Sequence, residues 1–195
     1  MTKEKLLKII QAAKVNRRTS LTLGDHKIQE LPPEIGDITS LMDLDMSRNE
    51  LESLPAEIKN LKKLKRLGLN YQKFTFFPVE ICSLKKLGEL YLRGNKITEV
   101  SSEVGNLKNL TGLDLRGNRI THLPKEIIQL KHLKLLFLDG NPLVEPPLEI
   151  VVKGKDAIFS YFLTKYTNTT NIQPSQPNSL NTQSLEDVTL YTKQR

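Results

Sequence analysis

Apolar residues along this chain follow two different spacings within one short unit. In the stretch from Leu110 to Leu130, Leu110-x-x-Leu113-x-Leu115 opens with a period of two. Asn118 follows, and Ile120, Leu123, Ile127 and Leu130 continue at wider steps. The first spacing predicts a short strand and the last a helical turn, so neither element alone explains the order. The unit recurs: Leu41, Leu64, Leu87, Leu110 and Leu133 stand 23 residues apart. Each opens the same pattern, as in Leu41-x-x-Leu44-x-Met46-x-x-Asn49-x-Leu51-x-x-Leu54-Pro55. A fixed step of this length predicts a solenoid, in which each unit buries its apolar row against its neighbours.

Alternation places Leu113 and Leu115 on the inner side of a strand and Gly112, Asp114 and Arg116 on the other. Strands of successive units, about 4.8 Å apart, then form a parallel sheet whose exposed face is concave. Asn49, Asn95, Asn118 and Asn141 form a column where the strand turns. A carboxamide both donates and accepts, so it can satisfy backbone groups that the turn frees. Pro32, Pro55, Pro78, Pro124 and Pro147 form a second column, and Glu34, Glu57, Glu80, Glu103, Glu126 and Glu149 stand two residues later. Proline suits the first position of a helical turn, and a carboxylate meets its positive pole. These carboxylates run in a line along the convex side instead of converging, which argues against a metal site. The third repeat departs most: Gln72 holds the Asn column, Phe74 and Phe77 fall in core columns, and Phe76 is expected to join Tyr71 as an exposed apolar spot.

The form Leu123-Pro124-x-Glu126-Ile127-x-x-Leu130, with the close Gly140-Asn141-Pro142-Leu143 and Pro146-Pro147-Leu148-Glu149-Ile150, resembles the leucine-rich repeat family over roughly residues 18 to 155. Within that family it is similar to the intracellular 23-residue class of Ras-suppressor-type, plant Ras-group-related and Roco-type proteins. The resemblance implies an α/β fold: a right-handed solenoid with a parallel concave sheet, short helical or 3-10 convex segments and helical caps at both ends. It also implies a binding or scaffold role, often in signalling near small GTPases. It brings no GTPase into this chain, which lacks Gly-x-x-x-x-Gly-Lys-Ser/Thr.

In chain order, residues 1–17 are expected to form an N-terminal capping helix, with Leu6, Ile9, Ile10 and Ala13 at helical spacing. Residues 18–153 hold six repeats. The first is degenerate, with Arg18 and His26 in the Leu and Asn columns, and the last carries Pro146 where others have Leu54, Phe77, Val100 and Leu123. Residues 154–166 are expected to cap the other end through Ala157, Ile158, Tyr161 and Phe162, after a break at Gly154. Residues 167–195, rich in Asn, Thr, Ser, Gln and Pro, read as a disordered polar tail, with Leu185 to Tyr191 its one stretch of higher apolar content.

Composition adjusts this picture. Hydrophobic residues make up 38% of the 195, low for a closed core but suited to a stack that buries one row per repeat. The single cysteine, Cys82, excludes a disulfide framework and favours a reducing compartment, hence a cytoplasmic reading. The charged N-terminus lacks the apolar run of a signal peptide. No stretch approaches the ~20 apolar residues of a membrane span. The formal charge of +7 lies entirely before about residue 167. Lys62, Lys85, Lys108 and Lys131, with Lys63 and Lys86, supply much of it and read as a solvated face. The lack of interleaved aromatics argues against nucleic acid as a partner.

No catalytic motif emerges. His26, His122 and His132 lack the spacing of a metal site, and Cys82 occupies a variable column shared with Lys59, Gly105 and Ile128. The chain therefore reads as a monomer that is not an enzyme and needs no cofactor or metal. What stacking leaves free on the sheet face is the best pointer to function. Asp45, Arg66, Tyr71, Glu89, Tyr91, Arg93, Asp114, Arg116, Phe137 and Asp139 form the candidate partner-binding set, because aromatics and Arg are the usual anchors of protein interfaces. The leading expectation is a protein–protein interaction module or scaffold, with a small GTPase or other signalling protein as its partner. The alternatives are a regulatory repeat module of a GTPase or other enzyme, and a basic anion-binding module.

Overall fold

The computed structural model of the protein describes residues 1–167. The tail expected over 168–195 lies outside the described residues. Six strands of three residues each, β1 (Ser20–Thr22), β2 (Asp43–Asp45), β3 (Arg66–Gly68), β4 (Glu89–Tyr91), β5 (Gly112–Asp114) and β6 (Leu135–Phe137), form one parallel sheet in sequence order. Each residue pairs with its equivalent one repeat on, as Leu44↔Leu67 and Leu67↔Leu90. Constant register is what a fixed repeat length requires.

The inward positions build one continuous core. Leu44, Leu67, Leu90 and Leu113 of the strands are buried, as are Ile58, Ile81, Val104 and Ile127 of the segments opposite. Those segments are five-residue 3-10 turns: Pro33–Asp37, Ala56–Asn60, Val79–Ser83, Ser102–Asn106 and Lys125–Gln129. Their prolines stand one residue earlier than expected. Pro55, Pro78 and Pro124 occupy the cap in extended backbone instead of the first helical position, and only the first turn has a proline, Pro33, inside its start. Where the fourth turn lacks the proline, the Ser101 hydroxyl accepts from the Glu103 N–H at 3.2 Å.

The Asn column is the tie between repeats. Asn118 Oδ1 accepts from the Ile97 N–H at 3.1 Å, and its Nδ2 donates to the carbonyls of Leu92 and Leu115, each at 2.9 Å. Asn49, Asn95 and Asn141 repeat this arrangement. Gln72 substitutes for it: its longer side chain accepts from the Leu51 N–H at 3.0 Å and donates to the Met46 carbonyl at 2.7 Å. Among the described residues no buried side-chain nitrogen or oxygen is left without a partner. In the same repeat Phe74 and Phe77 are buried and Phe76 is 76% exposed, as the column assignment expects.

Helices flank the array. The helix α1 (Lys3–Val15), capped by the Thr2 hydroxyl, buries Leu6, Ile10 and Ala13. The Met1 amino group donates to the His26 carbonyl of the first repeat. After β6 the chain forms the helical turn that Pro147 and Glu149 mark, here a short helix, α2 (Leu148–Val151), and then α3 (Lys155–Thr167), which buries Ile158 and Phe162. Gly154 separates them with a left-handed backbone, φ 87°. The chain divides into two units, Met1–Thr164 and a second beginning at Lys165, of which the end of α3 is described.

The ladder predicts that Asn118→Ala lowers unfolding stability by about 1–3 kcal/mol, because it orphans buried backbone groups of two repeats. Urea denaturation checks this; an unchanged midpoint would contradict the role assigned to the amide.

A candidate protein-binding face on the sheet

Three rows of side chains cross the exposed sheet face. The first is Ser20, Asp43, Arg66, Glu89, Gly112 and Leu135, and the second is Thr22, Asp45, Gly68, Tyr91, Asp114 and Phe137. The third, just past the strands, is Gly24, Ser47, Asn70, Arg93, Arg116 and Asp139. Nine of the ten residues named from the sequence lie in these rows, and Tyr71 follows the third. The structure groups them into small clusters.

On β2–β4, Arg66 lies between Asp43 at 3.5 Å and Glu89 at 3.4 Å, and Glu89 accepts from the Tyr91 hydroxyl at 2.7 Å. That hydrogen bond, then burial and the carboxylate's charge, raise the Tyr91 phenol above its ordinary pKa. Gly68 leaves a gap in the second row. It opens a depression of ≈ 340 Å³ bordered by Asp43, Asp45, Arg66, Asn70 and Tyr91. Asp45 leans over the gap while accepting from the Ser47 N–H at 2.9 Å.

On β5–β6, Asp114 takes a two-point contact from Arg116, Nε to Oδ1 at 3.0 Å and a terminal nitrogen to Oδ2 at 2.6 Å. The Arg116 guanidinium lies 4.7 Å from the centre of the Phe137 ring. Asp114 is only 4% exposed. It was expected to stand free; what it presents instead is the arginine above it. Asp139 stays exposed, within electrostatic reach of Arg116.

Tyr71 is placed by a further column, one position before the Asn amides. The residue before the Asn column has positive φ in every repeat: Asp25, Arg48, Tyr71, Gly94, Gly117 and Gly140. Glycine takes this conformation without penalty, whereas side chains with a Cβ resist it. The pairs Gly94-Asn95, Gly117-Asn118 and Gly140-Asn141 were the signal that marks this column. Its consequence is that Tyr71 leans over Gly94 with Arg48 and Arg93 each 5.8 Å from its ring centre. Arg48, absent from the sequence-derived set, thus joins the face.

Elsewhere, burial pushes the Cys82 thiol up to about 12, which keeps it protonated and unreactive. Among the described residues no three His, Cys, Asp or Glu side chains gather closely enough to hold a metal ion. No described helix is long and apolar enough to cross a membrane.

Comparison with known proteins decides the family. The family model described as Leucine rich repeat matches residues 85–143, and a second of the same description matches residues 40–61. The chain belongs to the leucine-rich repeat family. Its repeat array is similar to a leucine-rich repeat protein of Leptospira interrogans, at 40% identity and TM-score 0.52 over 63% of this chain and 37% of that one. It is also similar to the plant peptide hormone receptor RGFR1, solved in complex with RGF2, at 31% identity and TM-score 0.58 over 64% of this chain and 21% of that one. A third likeness is to the ectodomain of the Arabidopsis thaliana membrane receptor kinase GASSHO1/SCHENGEN3, in complex with CASPARIAN STRIP INTEGRITY FACTOR 2. There identity is 31% and TM-score 0.59, over 69% of this chain and 17% of that one. The chain thus spans well under half the length of each. No match is found among curated proteins. Family and fold are those of interaction modules.

Two outcomes follow from this geometry. A Cβ on Gly94 would lie 2.6 Å from Cε1 of Tyr71. Gly94→Ala is therefore expected to cost about 2–4 kcal/mol in the native background and about 1–2 kcal/mol beside Tyr71→Gly, where backbone strain alone remains. A double-mutant cycle by denaturation reads the difference. Because its phenol pKa is raised, the folded state holds the Tyr91 proton more tightly than the unfolded chain. The associated stability is complete below the ordinary phenol range and declines as pH rises through the raised value. Glu89→Ala should lower the pH at which Tyr91 ionises, followed by phenolate absorbance against Tyr91→Phe; an unmoved titration would argue against the bond.

Proposed function

We propose that this chain is a monomeric protein–protein interaction module or scaffold of the cytoplasm. In this reading it binds a partner protein on the exposed sheet face and performs no catalysis of its own. The observation that carries it is the set of ring and guanidinium clusters: Arg48–Tyr71–Arg93, Arg66–Glu89–Tyr91 and Asp114–Arg116–Phe137. Tyr and Arg are favoured anchors of protein interfaces, with Phe also enriched there. Here each is held by neighbours before any partner arrives, which reduces the side-chain ordering that binding must otherwise impose. The plant receptors named above, solved with their own partners, support protein binding as the role of such arrays. The resemblance to the intracellular 23-residue class adds a small GTPase or other signalling protein as the partner.

Capture of partners from lysate by the immobilised chain, at low and moderate salt, tests this. Binding should survive moderate salt. Tyr91→Ala with Arg116→Ala should weaken it by about 2 kcal/mol or more, roughly thirtyfold. Capture that vanishes at moderate salt, or that the double variant leaves unchanged, would overturn the assignment of the sheet face.

A further inference from the structure

The chain's positive charge has a definite location. Six turns lead into the strands, at residues 16–19, 39–42, 62–65, 85–88, 108–111 and 131–134; together they hold ten lysines and arginines and no Asp or Glu. All ten are exposed, and none is in an ion pair among the described residues. Lys85 and Lys108 reach only neutral oxygens, the Asn106 carbonyl at 3.4 Å and Gln129 Oε1 at 2.6 Å. Elsewhere cations stand among carboxylates, and several are paired: Lys14 with Asp37, Lys73 with Glu50, Arg66 with Asp43 and Glu89. The three rows of the sheet face carry five carboxylates against three guanidiniums.

Backbone bonds set these turns side by side. Lys65 N–H donates to the Met42 carbonyl, Gly88 N–H to Lys65, Thr111 N–H to Gly88 and Lys134 N–H to Thr111, at 2.7–2.8 Å. The cations therefore form a row along one edge, its turns about 4.8 Å apart. Exposed apolar side chains stand with them: Val15 just before the first turn, Met42 within the second and Leu135 just after the last, at 70%, 38% and 55% exposure.

We infer that this edge docks the protein on the anionic surface of a lipid bilayer. Lysine predominates in the row. As a flexible point charge it suits a diffuse negative surface, whereas shaped phosphate recognition uses the fork of arginine. The turns hold no Phe, Tyr or Trp on which nucleic-acid bases would stack. Val15, Met42 and Leu135 have the character of side chains that enter the boundary between headgroups and acyl chains. Docked this way, the protein leaves the candidate partner-binding residues open, and of the sheet-face rows only Leu135 contributes to the edge.

The test is sedimentation of the full chain with vesicles of phosphatidylcholine alone or with about a third phosphatidylserine, at low and high salt. Binding should require phosphatidylserine and weaken with salt. Lys62→Glu/Lys85→Glu/Lys108→Glu should lower partitioning about a hundredfold or more. The same charge change at the opposite edge, Lys27→Glu/Lys96→Glu/Arg119→Glu, should leave it within a few-fold, and circular dichroism checks that both variants fold. The inference is overturned if the wild type ignores phosphatidylserine or if both variants lose binding equally, which would reflect net charge alone. Tighter, edge-dependent binding to a DNA duplex at the same salt would also overturn it, assigning the edge to nucleic acid.

Discussion

Every other feature of this fold depends on the side-chain amide at the end of each strand. A turn between a three-residue strand and the segment that follows leaves backbone N–H and C=O groups inside the array, where an unpaired group costs about 1–3 kcal/mol. Asn95 meets this by donating to Leu69 and Leu92 and accepting from Phe74, so one side chain joins two repeats. Stacking and satisfaction of the backbone are thus the same event. A unit with its Asn in place has no partner for that amide until the previous unit is present, which makes the array cooperative along its length. Gln72 shows that the constraint acts on the hydrogen bonds and not on the residue type, since a side chain one methylene longer reaches equivalent groups.

Once the turn is set, the backbone just before the amide is driven into the left-handed region in all repeats, and the face takes its character from which residues tolerate it. Gly117 and Gly140 leave bare backbone and Gly94 makes room for the Tyr71 ring, while Arg48 and Tyr71 accept the strain and project side chains. The result divides the sheet face unevenly. Polar, acid-rich groups surround Gly68 on β2–β4, while aromatic rings stacked with arginine occupy the region from Tyr71 to Phe137. Charge is unevenly spread as well, with ten lysines and arginines and no carboxylate in the turns that enter the strands. An array built from nearly identical units thereby acquires distinct surfaces, because the framework columns are fixed by packing and the rest are left to vary.

Much of this was legible along the chain. The 23-residue step names the columns, and a column assignment carries burial with it: Phe74 inside and Phe76 outside follow from position alone, as does the ladder of Asn amides. The proline column was read one residue too far into its turn, because the cap and the first helical position both accept a fixed φ near −70°. The turn after Pro147 follows from the same columns, but its forming a short helix at Leu148–Val151 where the other turns are 3-10 does not, since four residues carry too little periodicity to show. The positions that strand alternation turns outward on the sheet are legible in the same way, whereas Arg48 enters only through the backbone just before the Asn column.

What the chain by itself determined is therefore the repeat, its register and the list of side chains that stacking leaves outside. What the tertiary structure alone decided is how those side chains spend their charges and hydrogen bonds. Arg116 closes over Asp114 and reaches Phe137 one repeat on, Glu89 holds both Arg66 and the Tyr91 hydroxyl, and Arg48 and Arg93 flank Tyr71 from the repeats on either side. The physical reason is distance: most of these partners lie about one repeat apart in sequence but about 5 Å apart across the sheet. Periodicity places them on one face, and only packed rotamers choose which of them meet.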